Sequence, residues 1–323
     1  MNVVSRIPPA ATAAIVVTIG ACTTADYDKP IGDFAATTRD AARALDQLDT
    51  QVTETYAAIV RRRALAGRVF VRRKSGDCLV TSGRCRLVVV DREGKEEALS
   101  PDPALAQMVL VMRRIGVYAE NLRALLDADT AATVAARVNA ALGSVQSLAE
   151  TVARIRAGGG GEAAEVADFA TPVGAAANWL VGQYVARVKL RGLRRATGAA
   201  QPVIRDATAL FETTAGVVAD VPKAALAEDV SKSMDAFRSD RSDGRLDRLL
   251  RSAAAYDRLL LSRPPVLFKR LREAHDLLAD KLNGEPVSFA SLTARMQDFA
   301  DQAGQLAKIL KDLTDLAAKM REE

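Results

Sequence analysis

Apolar and small residues recur at three, four or seven positions along most of the chain, the spacing that lines one face of an α-helix. From Phe34 the series Ala41, Leu45, Leu48, Val52, Tyr56 and Ile59 predicts a long helix from about Asp33 to Ala66. Far downstream, Leu292, Met296, Phe299, Ala303, Leu306, Ile309 (or Leu310), Leu313 and Leu316 form a near-heptad stripe that predicts another over 288–323. Between them, helical patterning covers about 103–127, 130–157, 174–197, 202–240, 245–262 and 266–283. In the second of these Val134, Val138, Leu142, Val145, Leu148 and Val152 share a side. Polar, glycine or proline breakers separate the segments: Gly158 to Gly161, Gly198, Ser242-Asp243-Gly244, Pro264-Pro265 and Gly284-Glu285-Pro286, while Asp127-Ala128-Asp129-Thr130 reads either as a break or as a polar turn within one longer helix. Pro222 is expected to kink or split the 202–240 segment. Such a stripe is read as an ordinary bundle core, the alternative being a coiled-coil face offered to a partner.

The pattern changes between Gly67 and Gly94. Val69-Phe70-Val71 and Leu87-Val88-Val89-Val90 are short β-branched runs, with Gly76-Asp77 and Ser82-Gly83 as turn chemistry between them. They predict a β-hairpin or small β-tongue projecting from one end of the helices. Aromatic residues are only 4% of the chain, and alanine, leucine, arginine and aspartate dominate, a composition suited to closely packed helices. The reading is all-α: an elongated antiparallel multi-helix bundle with one small disulfide-pinned β-hairpin insertion. Its parts are a helical half over 33–157 with the hairpin at about 67–94, a glycine hinge at 158–161 and a second helical half over 162–323. No fixed-period repeat is present, so this is not a solenoid.

The first residues read as an export signal. Arg6 precedes an apolar stretch from Ala10 to Ile19, about half the length a spanning helix needs. Ile19-Gly20-Ala21-Cys22 follows: a branched aliphatic, two small residues and a cysteine. This run resembles the lipobox of bacterial lipoproteins, with isoleucine where leucine is commoner, and the resemblance covers the leader alone. It implies a signal peptide over 1–21, removal of that peptide, and lipid on the Cys22 sulfur. The stretch 22–32 is then the lipidated cysteine and a polar tether. Thr23 stands where an aspartate retains such proteins at the inner membrane, so the resemblance implies the outer membrane, facing the periplasm. Acyl chains anchor strongly, and no transmembrane segment is needed.

Export decides the remaining cysteines. Cys78 and Cys85 are an even pair in an oxidising compartment. The alternatives are a metal or redox site, but the only histidine, His275, is far away and the spacing is neither CxxC nor a zinc pattern. A structural disulfide is the reading, and closing so short a loop contributes about 2.5 kcal/mol in the chain-entropy model.

Charge is unevenly placed. Arg61, Arg62, Arg63, Arg68, Arg72, Arg73, Lys74, Arg84 and Arg86 face a single acid, Asp77, in one window, whereas the whole chain carries only +5. In an envelope the anionic partners are lipid headgroups, lipopolysaccharide phosphates or acidic proteins, and export argues against nucleic acid. The same set can instead solubilise an exposed hairpin and protect its edges. A second basic run, Arg187, Lys189, Arg191, Arg194 and Arg195, follows Trp179 and Tyr184. It reads as a membrane-surface helix or as arginine stems covering a bundle seam. The apolar run Ala104 to Met112 reads as burial near the hairpin, or as an inserting segment.

Catalytic patterns are weak. His275 has no second histidine for HExxH, no Gly-x-Ser-x-Gly elbow is present, and Asp46/Asp49 and Asp298/Asp301 have helix-surface spacing. No metal site or cofactor is implied. The expectation is a non-enzymatic, membrane-tethered envelope scaffold or adaptor with an envelope protein partner. A membrane-active protein whose basic tip engages anionic lipid or an opposing bilayer is the alternative, and a glycan-processing enzyme ranks third.

Overall fold

The computed structural model describes residues 24–65, 67, 69–73, 87–98, 104–157, 181–218, 220–261 and 264–322. It is predominantly helical with one small antiparallel sheet. The leader, Cys22, Cys78, Cys85 and the Gly158–Gly161 hinge lie outside the described residues.

A short 3-10 turn, Thr24–Tyr27, leads directly into α1, Asp28–Leu65. The polar tether expected over 22–32 is therefore folded from Thr24 onward. Tyr27 and Ile31 are buried, and the Tyr27 hydroxyl donates to the Lys281 carbonyl at 3.3 Å. A polar stretch carrying two well-spaced apolar anchors can be pinned by them. At 38 residues, α1 is about 57 Å long.

The sheet follows: β1 (Val69–Arg73), β2 (Leu87–Asp91) and β3 (Glu96–Ala98), in the order β1-β2-β3. Phe70 pairs with Val90, and Val90 with Glu96, so the expected hairpin is a three-stranded meander. Its third strand, Glu96-Glu97-Ala98, has no apolar alternation to betray it. Val69 and Val89 pack on Val60, Tyr56 and Ala64 of α1, fixing the sheet to that helix's carboxyl end.

The remaining helices are α2 (Ala104–Asp127), α3 (Ala131–Arg156), α4 (Val181–Val218), α5 (Asp220–Ser239), α6 (Asp243–Leu261), α7 (Pro264–Asn283) and α8 (Phe289–Glu322). The 127–130 junction is a true break, where Thr130 caps α3 by accepting from the Thr133 N–H at 3.1 Å. Gly284, at φ +92°, ends α7: its N–H reaches the Lys281 carbonyl and the Glu285 N–H the Asp280 carbonyl, a Schellman closure. Gly198 is not a breaker, and Pro202 does not start a helix, because α4 runs through both. The carbonyl that Pro202 leaves without a donor belongs to Gly198; both residues are exposed, so water can take over that bond. Pro222 instead sits in the first turn of α5, where proline is tolerated.

Among the described residues six helices close into a ring, α1-α2-α3-α4-α7-α8 and back to α1, with the α5–α6 hairpin packed outside it. The expected antiparallel order holds for sequence neighbours such as α1–α2, where Arg39 meets Glu120 and Asp46 meets Arg113. It fails twice. In α3–α4, Val138 lies by Gly192 and Arg156 by Asp206, so the two run parallel. In α1–α8, Phe34 meets Phe299 while Asp46 to Gln51 lie opposite Ala307 to Thr314, again parallel. The 24 residues between α3 and α4 reach about 80 Å extended, ample to return along α3. The α1–α8 pair joins the two ends of the described chain, whose direction no connection dictates. The predicted stripes are the ring's core: Phe34, Ala41, Leu45, Leu48 and Val52 of α1 and Leu292, Met296, Phe299, Ala303 and Leu306 of α8 are all buried.

Candidate functional site

The basic tip is built on the last turns of α1. Arg61 is exposed and has no partner among the described residues, while Arg63, half-buried, is engaged. Arg72 points from β1 to an ion pair with Glu96 on β3. Arg92 closes the base of the sheet by donating to the Gly67 carbonyl at 3.3 and 3.4 Å. Arg62 and Arg73 are placed by their backbones alone, and Arg68, Lys74, Arg84 and Arg86 lie outside the described residues. The structure therefore brings Arg61, Arg63 and Arg72 to one end of the molecule. It also dilutes their charge: residues 87–98 add four acids (Asp91, Glu93, Glu96, Glu97) against two bases.

An apolar component was missed. Leu65 is 80% exposed, Phe70 63% and Val71 47%. For Phe70 the signal was available, since strand alternation must send it opposite to Val69. For Leu65, the last residue of α1, there was none. These side chains stand beside the exposed Arg61 and Arg72.

His275 lies elsewhere, wholly buried at the ring's centre. Its Nε2 is 2.9 Å from the Tyr118 hydroxyl, and Phe34 packs beside it. Nδ1 has no hydrogen-bond partner. Burial lowers its pKa to about 4, against a small upward pull from Asp276 and with a small downward push from Arg205. Burial likewise pushes the Tyr118 phenol up. The imidazole is an interhelical core group, packed between α1, α2 and α7.

The carboxylate pairs are surface features. Asp46 is salt-bridged to Arg113 at 2.6 Å, and Asp49 is held above the usual carboxylate range by partial burial and by Asp46. Asp46 borders an open groove of about 470 Å³ between α1 and α8, lined also by Gln47, Thr50, Gln51, Ala307, Lys311 and Thr314. Asp298 pairs with Arg295 at 3.0 Å, and Asp301 accepts from Gln297 at 2.8 Å. On α5–α6 a polar network that the sequence did not flag joins Ser252, Asp229 (2.5 Å) and Ser233 (3.2 Å), tying the hairpin together.

No family model, curated protein or solved structure matches the chain. Among the described residues there is no cluster of three potential metal ligands, and no helix is long and apolar enough to cross a membrane. The run Ala104 to Met112 is packed into the main core, with Leu105, Met108, Val109, Val111 and Met112 all buried.

The second basic run has two roles. Lys189 donates to the Leu126 carbonyl at 2.6 Å and Arg194 to the Leu282 carbonyl. These are last-turn carbonyls of α2 and α7, so both cations satisfy orphan acceptors at negative helix ends. Arg187, Arg191 and Arg195 are exposed and have no partner among the described residues.

Proposed function

We propose that the chain is a lipid-anchored envelope protein that holds a basic and apolar tip away from its anchoring membrane, as a scaffold or adaptor for an envelope protein. In this reading residues 1–21 are removed, Cys22 carries the lipid, and the helices face the periplasm from the outer membrane. The observation that supports it is the placement of two features on α1. The fold begins at Thr24, two residues after Cys22, while the sheet sits at the other end of a helix about 57 Å long. A tip so placed serves contact with something other than the bilayer beside Cys22. Cys78 and Cys85 close the loop between β1 and β2 as a disulfide, which alkylation and mass measurement with and without reductant will test.

The deciding experiment is photo-crosslinking in cells from Phe70 and Arg61, with Glu285 at the opposite end as control. A discrete protein adduct from both tip positions and none from Glu285 is the expected result. Equal adducts from all three, or none, would overturn the adaptor reading. Exposure of Leu65, Phe70 and Val71 beside Arg61 favours one other reading, insertion of the tip into an opposing anionic bilayer or lipopolysaccharide layer, which would appear as lipid adducts at Phe70.

A further inference from the structure

From Val181 to Arg205, α4 contains six bases and no acid; its first acid is Asp206. Lys189 and Arg194 are consumed as caps of α2 and α7, and Arg205 is paired with Asp276. The three left over are not scattered. Arg187, Arg191 and Arg195 stand at successive i, i+4 positions, a row with side chains about 6 Å apart that rises about 12 Å along the helix. Tyr184, 57% exposed, precedes the row by three residues on the same side. Like charges at this spacing repel, and nothing among the described residues offsets that cost.

The location of the row indicates what does. The Thr24–Tyr27 turn contacts α4 directly. Tyr27 and Arg194 donate to neighbouring carbonyls, Lys281 and Leu282, at the end of α7. The Arg195 end of the row therefore lies near Tyr27, at the amino end of the described structure. We infer that Arg187, Arg191 and Arg195, with Tyr184 at their margin, form a docking surface for the phosphate headgroups of the membrane that carries the Cys22 lipid. This rests on the lipid-anchor reading for which membrane is met, but the surface can be measured without the lipid. Guanidinium groups suit phosphate through bidentate bonding, and a tyrosine at the edge suits the headgroup layer.

The test uses the chain from Thr23 onward, which retains every described residue and lacks leader and lipid. It is sedimented with phosphatidylglycerol-containing or pure phosphatidylcholine vesicles over a salt series. Binding should require the anionic lipid, fade with salt, and weaken about a hundredfold or more in the R187E/R191E/R195E variant, at roughly fivefold for each charge lost. The triple lysine variant at these positions should retain most of the binding, as should R61E/R63E at the tip; unchanged circular dichroism melting would show each variant folded. Absence of binding to anionic vesicles at low salt, or binding unaffected by the α4 variant, overturns the inference. Binding lost only in the tip variant overturns it in favour of the tip. Lipidation is read separately, from the mass of the amino-terminal peptide in cells, so its failure is distinguishable from failure of the surface.

Discussion

A neutral imidazole in the middle of the helix ring makes one contribution to how this protein responds to acid. Folding lowers the His275 pKa from 6.5 to about 4, so the unfolded chain takes up the proton more readily. Its contribution is complete above pH 6.5, declines as pH falls toward 4, and then levels off. The full swing is on the order of 3 kcal/mol. The groups around it are Tyr118 of α2, Phe34 of α1, Arg205 of α4 and Asp276 of α7 itself. Asp49, whose pKa is raised, acts with the opposite sign, losing stability as pH rises. Comparing urea midpoints of wild type and His275→Leu from pH 7 to 4.5 isolates the histidine; the wild type should lose more stability across that interval, and parallel curves would contradict this account. Gly192 makes a second residue-scale point. A Cβ there would meet Val138 Cγ2 at 2.5 Å and Leu125 Cδ2 at 3.4 Å. Although alanine is the better helix former, Gly192→Ala should lower stability by about 1–3 kcal/mol, because a β-branched valine has little freedom to move. Adding Val138→Ala should recover part of the loss in thermal melts.

At the scale of elements, the sequence was most legible where one face of a helix is buried. The stripes of α1, α3 and α8 marked their core residues, because burial selects apolar side chains at helical spacing. It was least legible where local rules were outvoted. Gly198 and Pro202 read as a break, yet the apolar face of α4 continues through Ala196, Ala200, Ile204 and Ala207, all buried. Packing on both sides of the proline holds the helix together across one lost hydrogen bond. The β3 strand was invisible because its stabilisation comes from backbone pairing and the Arg72–Glu96 contact rather than from apolar alternation. Of the candidate sites, the position of the basic tip was foreseeable, but its partial neutralisation and the exposed Leu65 and Phe70 were not. Nor did the two-to-three division of the α4 cations into caps and free arginines leave any trace, since it depends on where α2 and α7 end.

For the molecule as a whole, ring and hairpin should differ in stability. Among the residues whose burial is described, the ring holds nearly all of the large buried apolar side chains, whereas α5 and α6 contribute few and leave Leu246 and Leu250 exposed. Their mutual attachment leans on the Ser233–Ser252–Asp229 network. Hydrogen exchange should find α5–α6 opening at a lower free energy than α1, α2 and α7. Ser252→Ala should lower it by a further 1–2 kcal/mol or so without altering exchange in α2. Uniform exchange across all the helices would show instead that the hairpin and ring form one cooperative unit.

The parallel seam between α1 and α8 has a consequence for biogenesis. Phe34 finds its partner Phe299 only when almost the entire polypeptide has been made. At about ten residues per second, that leaves a newly started chain waiting roughly half a minute with the α8-facing side of its first helix uncovered, although α2 is made much earlier. During that interval the amino-terminal region needs shelter, from a chaperone or by being kept extended. A ribosome that stops short of α8 releases a product whose first helix can never be enclosed, which makes the final helix the point at which an incomplete molecule is told from a finished one.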